Sequence, residues 1–427
     1  MEFKFPYGKT YLKADIPDSR ISCVMKNKLD AGRSETEQEE LVRRSLERPV
    51  GSPRLSELAV GKRKVVLLAS DHTRPVPSKI IIPLMLEEIR SKNPEAEITI
   101  LIATGCHRGS RKEELIEKFG REVYENEQIV IHDCDNKEEL VFLDMLPSGG
   151  QLVLNRLAVE ADLLVAEGFI EPHFFAGYSG GRKSVLPGVA SREAVYYNHN
   201  SAFIDDPYSR MGSLDKNPIH RDMIFAAKRA NLSFIVNVVI DSHKQVVASF
   251  AGDCDLAHRA GCDFLNEKAA EYPVRSDIVI TTNNGYPLDQ NIYQAVKGMC
   301  TAEATCKPGG VIISIAECSD GVGGDAFYET FRSEPSADAI LEDFRRRTAA
   351  ETVEDQWQSQ IFARILSRHK VIFVSGMPDQ IVRDVHLLPA KTVEEALNMA
   401  DALLGKKDGS ICVILEGIST MILPDNL

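Results

Sequence analysis

The chain has 427 residues, a formal charge of −13, 44% hydrophobic and 26% charged residues. That length is too great for one ordinary core, and the composition is that of a soluble globular protein, so two domains are expected. The basic residues are scattered among acidic ones, which excludes the electrostatic footprint of a nucleic-acid or anionic-membrane binder. No apolar run approaches the roughly 18 residues that a membrane span requires.

The opening MEFKFPYGKT lacks the apolar segment of a signal peptide, and nine cysteines are dispersed from Cys23 to Cys412 without a C-x-x-C spacing. This pattern predicts reduced thiols in a cytoplasmic protein, with neither a disulfide framework nor a zinc site.

In chain order, short β-branched runs alternate with helix-like stretches. KVVLLAS (64–70), ITILIATG (98–105), IVIHD (129–133) and ADLLVAEG (161–168) predict strands, with helices over 77–92 and 110–120. A helix over 217–230 has proline near its first turn. SFIVNVVID (233–241) and VVASFAG (246–252) read as a hairpin or adjacent strands, followed by a helix over 256–272. A second series has strands at 277–283, 309–318, 370–376 and 410–417, and helices at 291–306, 336–348, 356–368 and 392–404. Such alternation predicts an α/β fold of two domains, each an open, mostly parallel sheet with flanking helices. A proline interrupting the chain at Tyr272–Ser276 sets the expected boundary, with an N-terminal domain over 1–272 and a C-terminal domain over 273–427.

Ligands of open α/β sheets sit beyond the carboxyl ends of the strands. Three polar clusters fall there. SDHTRPVP (70–77) offers Asp71, Thr73 and Arg74, suited to a phosphate, ribose or carboxylate, or else to capping the next helix. ATGCHR (103–108) presents His107 as a general base or a surface histidine. EPHFFAGYSGGRKSVLPG (171–188) flanks His173 with proline and two phenylalanines, an apolar wall that tunes basicity by desolvation.

The GYSGGRKS of that last stretch nearly matches a P-loop, but Arg182 replaces the second glycine. Pro187 follows too soon for the helix that a P-loop opens. The glycines are expected to let the backbone pass close to a flat ligand, and Lys183 reads as a covalent or electrostatic attachment point.

Further along, His199 ends a helix and is either a dipole-complementing cap or a metal ligand. Tyr293, Gln294 and Lys297 share a helix, with the last two at i, i+3 on one face, a solvated face or a binding one. Trp357 is either core or a stacking platform. Gly321-x-Gly323-x-x-Ala326 fits a relaxed dinucleotide fingerprint but does not sit in a tight strand-to-helix turn.

SDHTRPVPSKIIIP, ATGCHRGSRKEEL, HFFAGYSGGRKSVLPG, GYPLDQNIYQAVKG and EDQWQSQIFARIL together resemble the nickel-dependent lactate racemase family, in order and over nearly the whole chain. The resemblance implies an isomerase that carries nickel in a nickel-pincer nucleotide, a pyridinium mononucleotide with two thiocarboxylic acid arms. It implies that Lys183 tethers this cofactor, His199 completes the nickel coordination, and Asp71, Thr73, Arg74 and Trp357 line the cofactor site. His107 and His173 resemble the catalytic acid/base pair, and Arg74, Tyr293, Gln294 and Lys297 the substrate-binding set. The active site would lie in the cleft between the domains.

The implied reaction removes hydride from a short 2-hydroxy acid, lactate foremost, and returns it to the other face of a transient 2-keto acid. The implied partners are the small substrate and the proteins that make the cofactor and deliver nickel, with no nucleic acid and no membrane. Cys106 and Gly109 are smaller than the residues expected beside that histidine, which suggests a wider pocket and other 2-hydroxy acids such as malate. The competing readings are a NAD-dependent hydroxy-acid dehydrogenase and a non-catalytic nickel-nucleotide binder. The latter has no use for His107, His173 and Lys297 together.

Overall fold

The computed structural model describes residues 1–29 and 34–423. The chain packs as two compact units. The first comprises the described residues of Leu29–Asn198 and Ser213–Lys268. Its six-stranded sheet runs Val246–Gly252, Leu232–Ile240, Leu163–Phe169, Lys64–Ser70, Glu97–Ala103, Gln128–Ile131. Only the edge strand Val246–Gly252 is antiparallel, as one half of the expected hairpin. Every residue of the central strand Leu163–Phe169 is buried, the continuous apolar pattern of a parallel strand covered on both faces. The helix Ser78–Lys92 covers one face with Ile81, Ile82, Met85 and Ile89.

The second unit comprises the described residues of Met1–Lys28, His199–Gly212 and Ala269–Leu427. Its sheet is parallel throughout, in the order Leu388–Ala390, Lys370–Val374, Cys306–Ile315, Ser276–Thr282, Ile411–Ile414, Ile21–Met25. Its core gathers Ile278, Ile280, Ile313, Ile372 and Val413, with Phe3 and Phe5 from the hairpin Glu2–Tyr7/Thr10–Asp15.

An uninterrupted first domain over 1–272 is therefore not how the chain packs. The strand Ile21–Met25 joins the second unit's sheet beside Ile411–Ile414, a pairing across almost the entire sequence. The short helix Ser201–Asp205 packs with the second unit as well. There Gln360 Nε2 donates to the Ser201 carbonyl at 2.9 Å, and Arg345 pairs with Asp205 at 2.6 Å.

Other elements are absent from the local pattern. The helix Glu35–Glu47 buries only Val42 and Leu46 deeply, too few apolar positions to announce it, yet Ser34 and Glu37 form a reciprocal capping box. The hairpin Leu140–Met145/Gln151–Asn155 and the helix Asp325–Ser333 are likewise unanticipated. Among the described residues no helix is long and apolar enough to cross a membrane.

Candidate active site

The strands Leu163–Phe169, Lys64–Ser70 and Glu97–Ala103 are neighbours in the first sheet and run parallel, so their carboxyl ends form one rim. The three polar clusters expected at strand ends all issue from that rim. Glu167 binds two of its segments together from below. Its buried carboxylate accepts from the Ser70 amide at 3.0 Å, the Ser70 hydroxyl at 3.1 Å and the Ser78 hydroxyl at 3.1 Å. Burial pushes its pKa up, against the charge of Lys118 and these hydrogen bonds. A single acid within the apolar run LLVAEG was the available sign of it.

Asp71 is almost fully buried and both its oxygens are engaged. Oδ1 accepts from the Thr73 amide at 3.0 Å and the Thr73 hydroxyl at 2.6 Å, while Oδ2 lies 2.7 Å from His107 Nδ1. Burial alone would raise this carboxyl. The hydrogen bond and charge of His107, then Thr73 and Arg74, outweigh it and hold the pKa at about 2. The ionised carboxylate fixes the ring by Nδ1 and leaves Nε2 outward, with 46% of the side chain exposed. Arg74 is exposed and donates to the Thr73 hydroxyl at 2.9 Å. Asp71 is thus occupied in orienting His107.

His173 is held by different means. Its ring stacks on Phe174 at 4.9 Å and meets the edge of Phe175 at 4.5 Å. The amides of Ala176, at 3.2 Å, and Phe175, at 3.5 Å, point at Nδ1. Backbone donors there make Nδ1 an acceptor and assign the proton of the neutral ring to Nε2. That Nε2 is 3.5 Å from Lys183 Nζ. Burial, then the charges of Arg182 and Arg74, pull the Lys183 pKa well below its ordinary value. Burial thus disfavours the ammonium form and favours the nucleophilic amine.

Gly181–Ser184 forms a single 3-10 turn, so the stretch is no P-loop. Its glycines serve packing within the protein, not the close passage of a ligand. A Cβ on Gly180 would come within 2.6 Å of Asn237, one on Gly181 within 2.9 Å of His258, and one on Gly177 within 2.0 Å of the Ser213 carbonyl. All three have positive φ.

The unexpected Arg182 is fully buried. Its guanidinium donates to the carbonyls of Ala176 at 2.8 Å and of Ser179 and Gly180 at 3.2 Å, with His258 Nε2 at 2.9 Å. It fills the loop from within, which is a role local sequence could not reveal, because its partners are carbonyls.

In the second unit the structure brings His199 and Trp357 together, their rings 5.1 Å apart at 66°. His199 is buried. Trp357 opens the helix Gln356–Arg368, which is tied to the helix Ile292–Glu303 at both ends. Tyr293 donates to Asp355 at 2.8 Å and Gln358 to the Tyr293 carbonyl at 2.6 Å. Far along the same helices, Arg364 and Glu303 form a buried ion pair at 2.7 Å. Burial and the Asp355 carboxylate push the Tyr293 phenol up, so it stays protonated. Gln294 and Lys297 occupy the same first turns, capped by Asn291.

The residues fit a nucleotide-borne metal. Among the described residues, no group of three His, Cys, Asp or Glu donors includes His199; the one such group is Asp133, Cys134 and Asp135. A metal on His199 would need its other ligands from a non-protein group; in the first unit, Lys183 supplies a buried amine to which a group could be joined. Gly321 and Gly323 lie in a long connection between the strand Cys306–Ile315 and the helix Asp325–Ser333, which does not suit a dinucleotide turn.

Fold and site thus define an α/β enzyme with histidines and a buried lysine beyond the ends of parallel strands. Family models for the lactate racemase N-terminal and C-terminal domains match residues 7–212 and 272–422. The chain is 52% identical to the lactate racemase of Thermoanaerobacterium thermosaccharolyticum and 46% identical to that of Lactiplantibacillus plantarum, each over 98% of both chains. The lactate racemase apoprotein structure from T. thermosaccharolyticum superposes with a TM-score of 0.95 over 99% of this chain and 100% of that one. A Thermotoga maritima protein at 19% identity, with a TM-score of 0.63 over 93% of this chain and 99% of that one, shares the fold. The chain belongs to the lactate racemase family and is an isomerase of the racemase type.

Proposed function

We propose that the protein racemises a short 2-hydroxy acid, lactate foremost, with a nickel-pincer nucleotide joined to Lys183 and His199 as the protein ligand to nickel. The observation that carries this reading is the pair of histidines held by unlike partners, His107 and His173, the second beside a lysine whose charge is disfavoured by burial. When bound, the group supplies the electrophilic pyridinium that accepts the substrate's α-hydrogen.

The remaining work falls to the chain's own residues. His107 Nε2, its imidazolium stabilised by the Asp71 carboxylate, takes the hydroxyl proton of one enantiomer. His173 does the same for the other enantiomer, and whichever histidine has become the imidazolium returns its proton in the reverse direction. Two enantiomers aim their hydroxyls differently, which is why two such groups are needed. Arg74, Lys297 and Gln294 offer cations and an amide for the substrate carboxylate. Proteins that build the cofactor and deliver nickel would be required for activation, in a cytoplasmic setting.

The test is racemisation measured from each pure lactate enantiomer with holo protein. His107→Ala and His173→Ala are each expected to lower kcat by about 10²–10⁴-fold. Full activity in both variants would overturn the two-histidine assignment, and a chiral panel of 2-hydroxy acids including malate would fix the substrate.

A further inference from the structure

The strand Ile21–Met25 joins the second unit's sheet irregularly. Ile21 pairs with Ile411, but the next partner of Cys412 is Cys23, so Ser22 is an extra residue in the ladder. A bulge of this kind reverses the in–out alternation of everything after it. Without it Ser22 would stand opposite Cys412. With it, the two thiols face each other from adjacent strands.

The Ser22 hydroxyl holds the bulge in place, donating to the Ile411 carbonyl at 2.9 Å and lying 2.7 Å from the Ser276 hydroxyl. The Cys23 and Cys412 sulfurs are 2.7 Å apart, in direct contact. Cys412 is fully buried and Cys23 partly exposed. The chemistry proposed for the active site uses neither thiol.

We infer that Cys23 and Cys412 form a reversible dithiol–disulfide site that staples the N-terminal strand to the sheet of the second unit. The oxidant it would take is a low-molecular-weight disulfide of the glutathione type. The Cys23 thiolate attacks one sulfur of the oxidant, forming a mixed disulfide and expelling one thiolate. Cys412 then attacks Cys23, forming the Cys23–Cys412 bond and expelling the second. The oxidant gains two electrons, and the protons of the two cysteines end on the two released small thiols.

Partial exposure makes Cys23 the attacking member and burial makes Cys412 the resolving one. The hydrogen bond between the two sulfurs lowers the Cys23 pKa, in the same sense. The bond would close a loop of 389 residues, so it would constrain the unfolded chain strongly.

The experiment incubates the full-length protein with oxidised glutathione, blocks remaining thiols under denaturing conditions, and maps peptides without reduction. The expected result is a mass lower by two hydrogen atoms before blocking and a linked pair of peptides carrying Cys23 and Cys412, lost on adding dithiothreitol and absent in Cys23→Ser. The oxidised wild type should also melt at a higher temperature than the reduced form, a shift missing from Cys23→Ser. Free, blocked Cys23 and Cys412 after oxidation would overturn the inference. So would a lasting glutathione adduct on Cys23, since Cys412 then fails to resolve it. The Cys106 and Cys134 peptides in the same map separate this link from oxidation elsewhere.

Discussion

Two histidines on one sheet rim are oriented by opposite means. His107 is fixed by a buried charge: Asp71 grips Nδ1 and leaves Nε2 open and partly exposed to water. His173 is fixed by neutral groups: two backbone amides meet Nδ1, two phenylalanines wall the ring, and Nε2 faces an amine. In the proposed reaction each histidine serves one enantiomer, and the two would reach that role in unlike surroundings.

Breaking the charged side should cost most. Asp71→Asn keeps a hydrogen-bonding shape but removes the charge that stabilises the His107 imidazolium. We expect kcat to fall about 10²-fold in steady-state racemisation with the fold retained. The same carboxylate carries a stability signature. Its folded pKa lies below the ordinary 3.8, at about 2, so its stabilisation is full above that ordinary value and is lost as pH falls through about 2. The linked free energy is about 2 kcal/mol. Acid denaturation curves of wild type and Asp71→Asn should therefore converge toward low pH; parallel curves would refute the coupling.

Breaking the neutral side acts first on structure. Arg182→Met removes the donor to the Ala176 carbonyl and one of the two donors to each of the Ser179 and Gly180 carbonyls, and about 2 kcal/mol of stability should be lost in chemical denaturation. An unchanged midpoint would mean that the loop shapes itself without Arg182.

The smallest effect has the opposite sign. Lys183 has its ammonium disfavoured in the fold, so the unfolded chain binds the extra proton and stability rises with pH toward the amine's ordinary range. Lys183→Met in the cofactor-free protein should raise the melting temperature at neutral pH while abolishing attachment, which is the trade expected at a functional position.

Much of this was legible in sequence because it is local. The alternation of strands and helices announces two parallel sheets, and the clusters at 70–74, 103–108 and 171–183 lie at strand ends. What was not legible depends on distance along the chain. Asp71 reads equally well as an anion contact or a cap until His107, 36 residues away, is seen on its carboxylate. The strand Ile21–Met25 has no meaning without Ile411–Ile414. The glycines around Lys183 suggest room for a ligand, but their own neighbours Asn237, His258 and Ser213 already explain them. His199 stands beside Trp357 only because a short segment crosses to the other unit.

The account turns on Lys183. Protein produced together with the cofactor-forming and nickel-delivering proteins should be measured by intact mass, by peptide mapping and for metal content. The account predicts a nucleotide adduct on the Lys183 peptide with one nickel per adduct, absent in Lys183→Met. Racemase activity from protein whose Lys183 peptide is unmodified and nickel-free would contradict it.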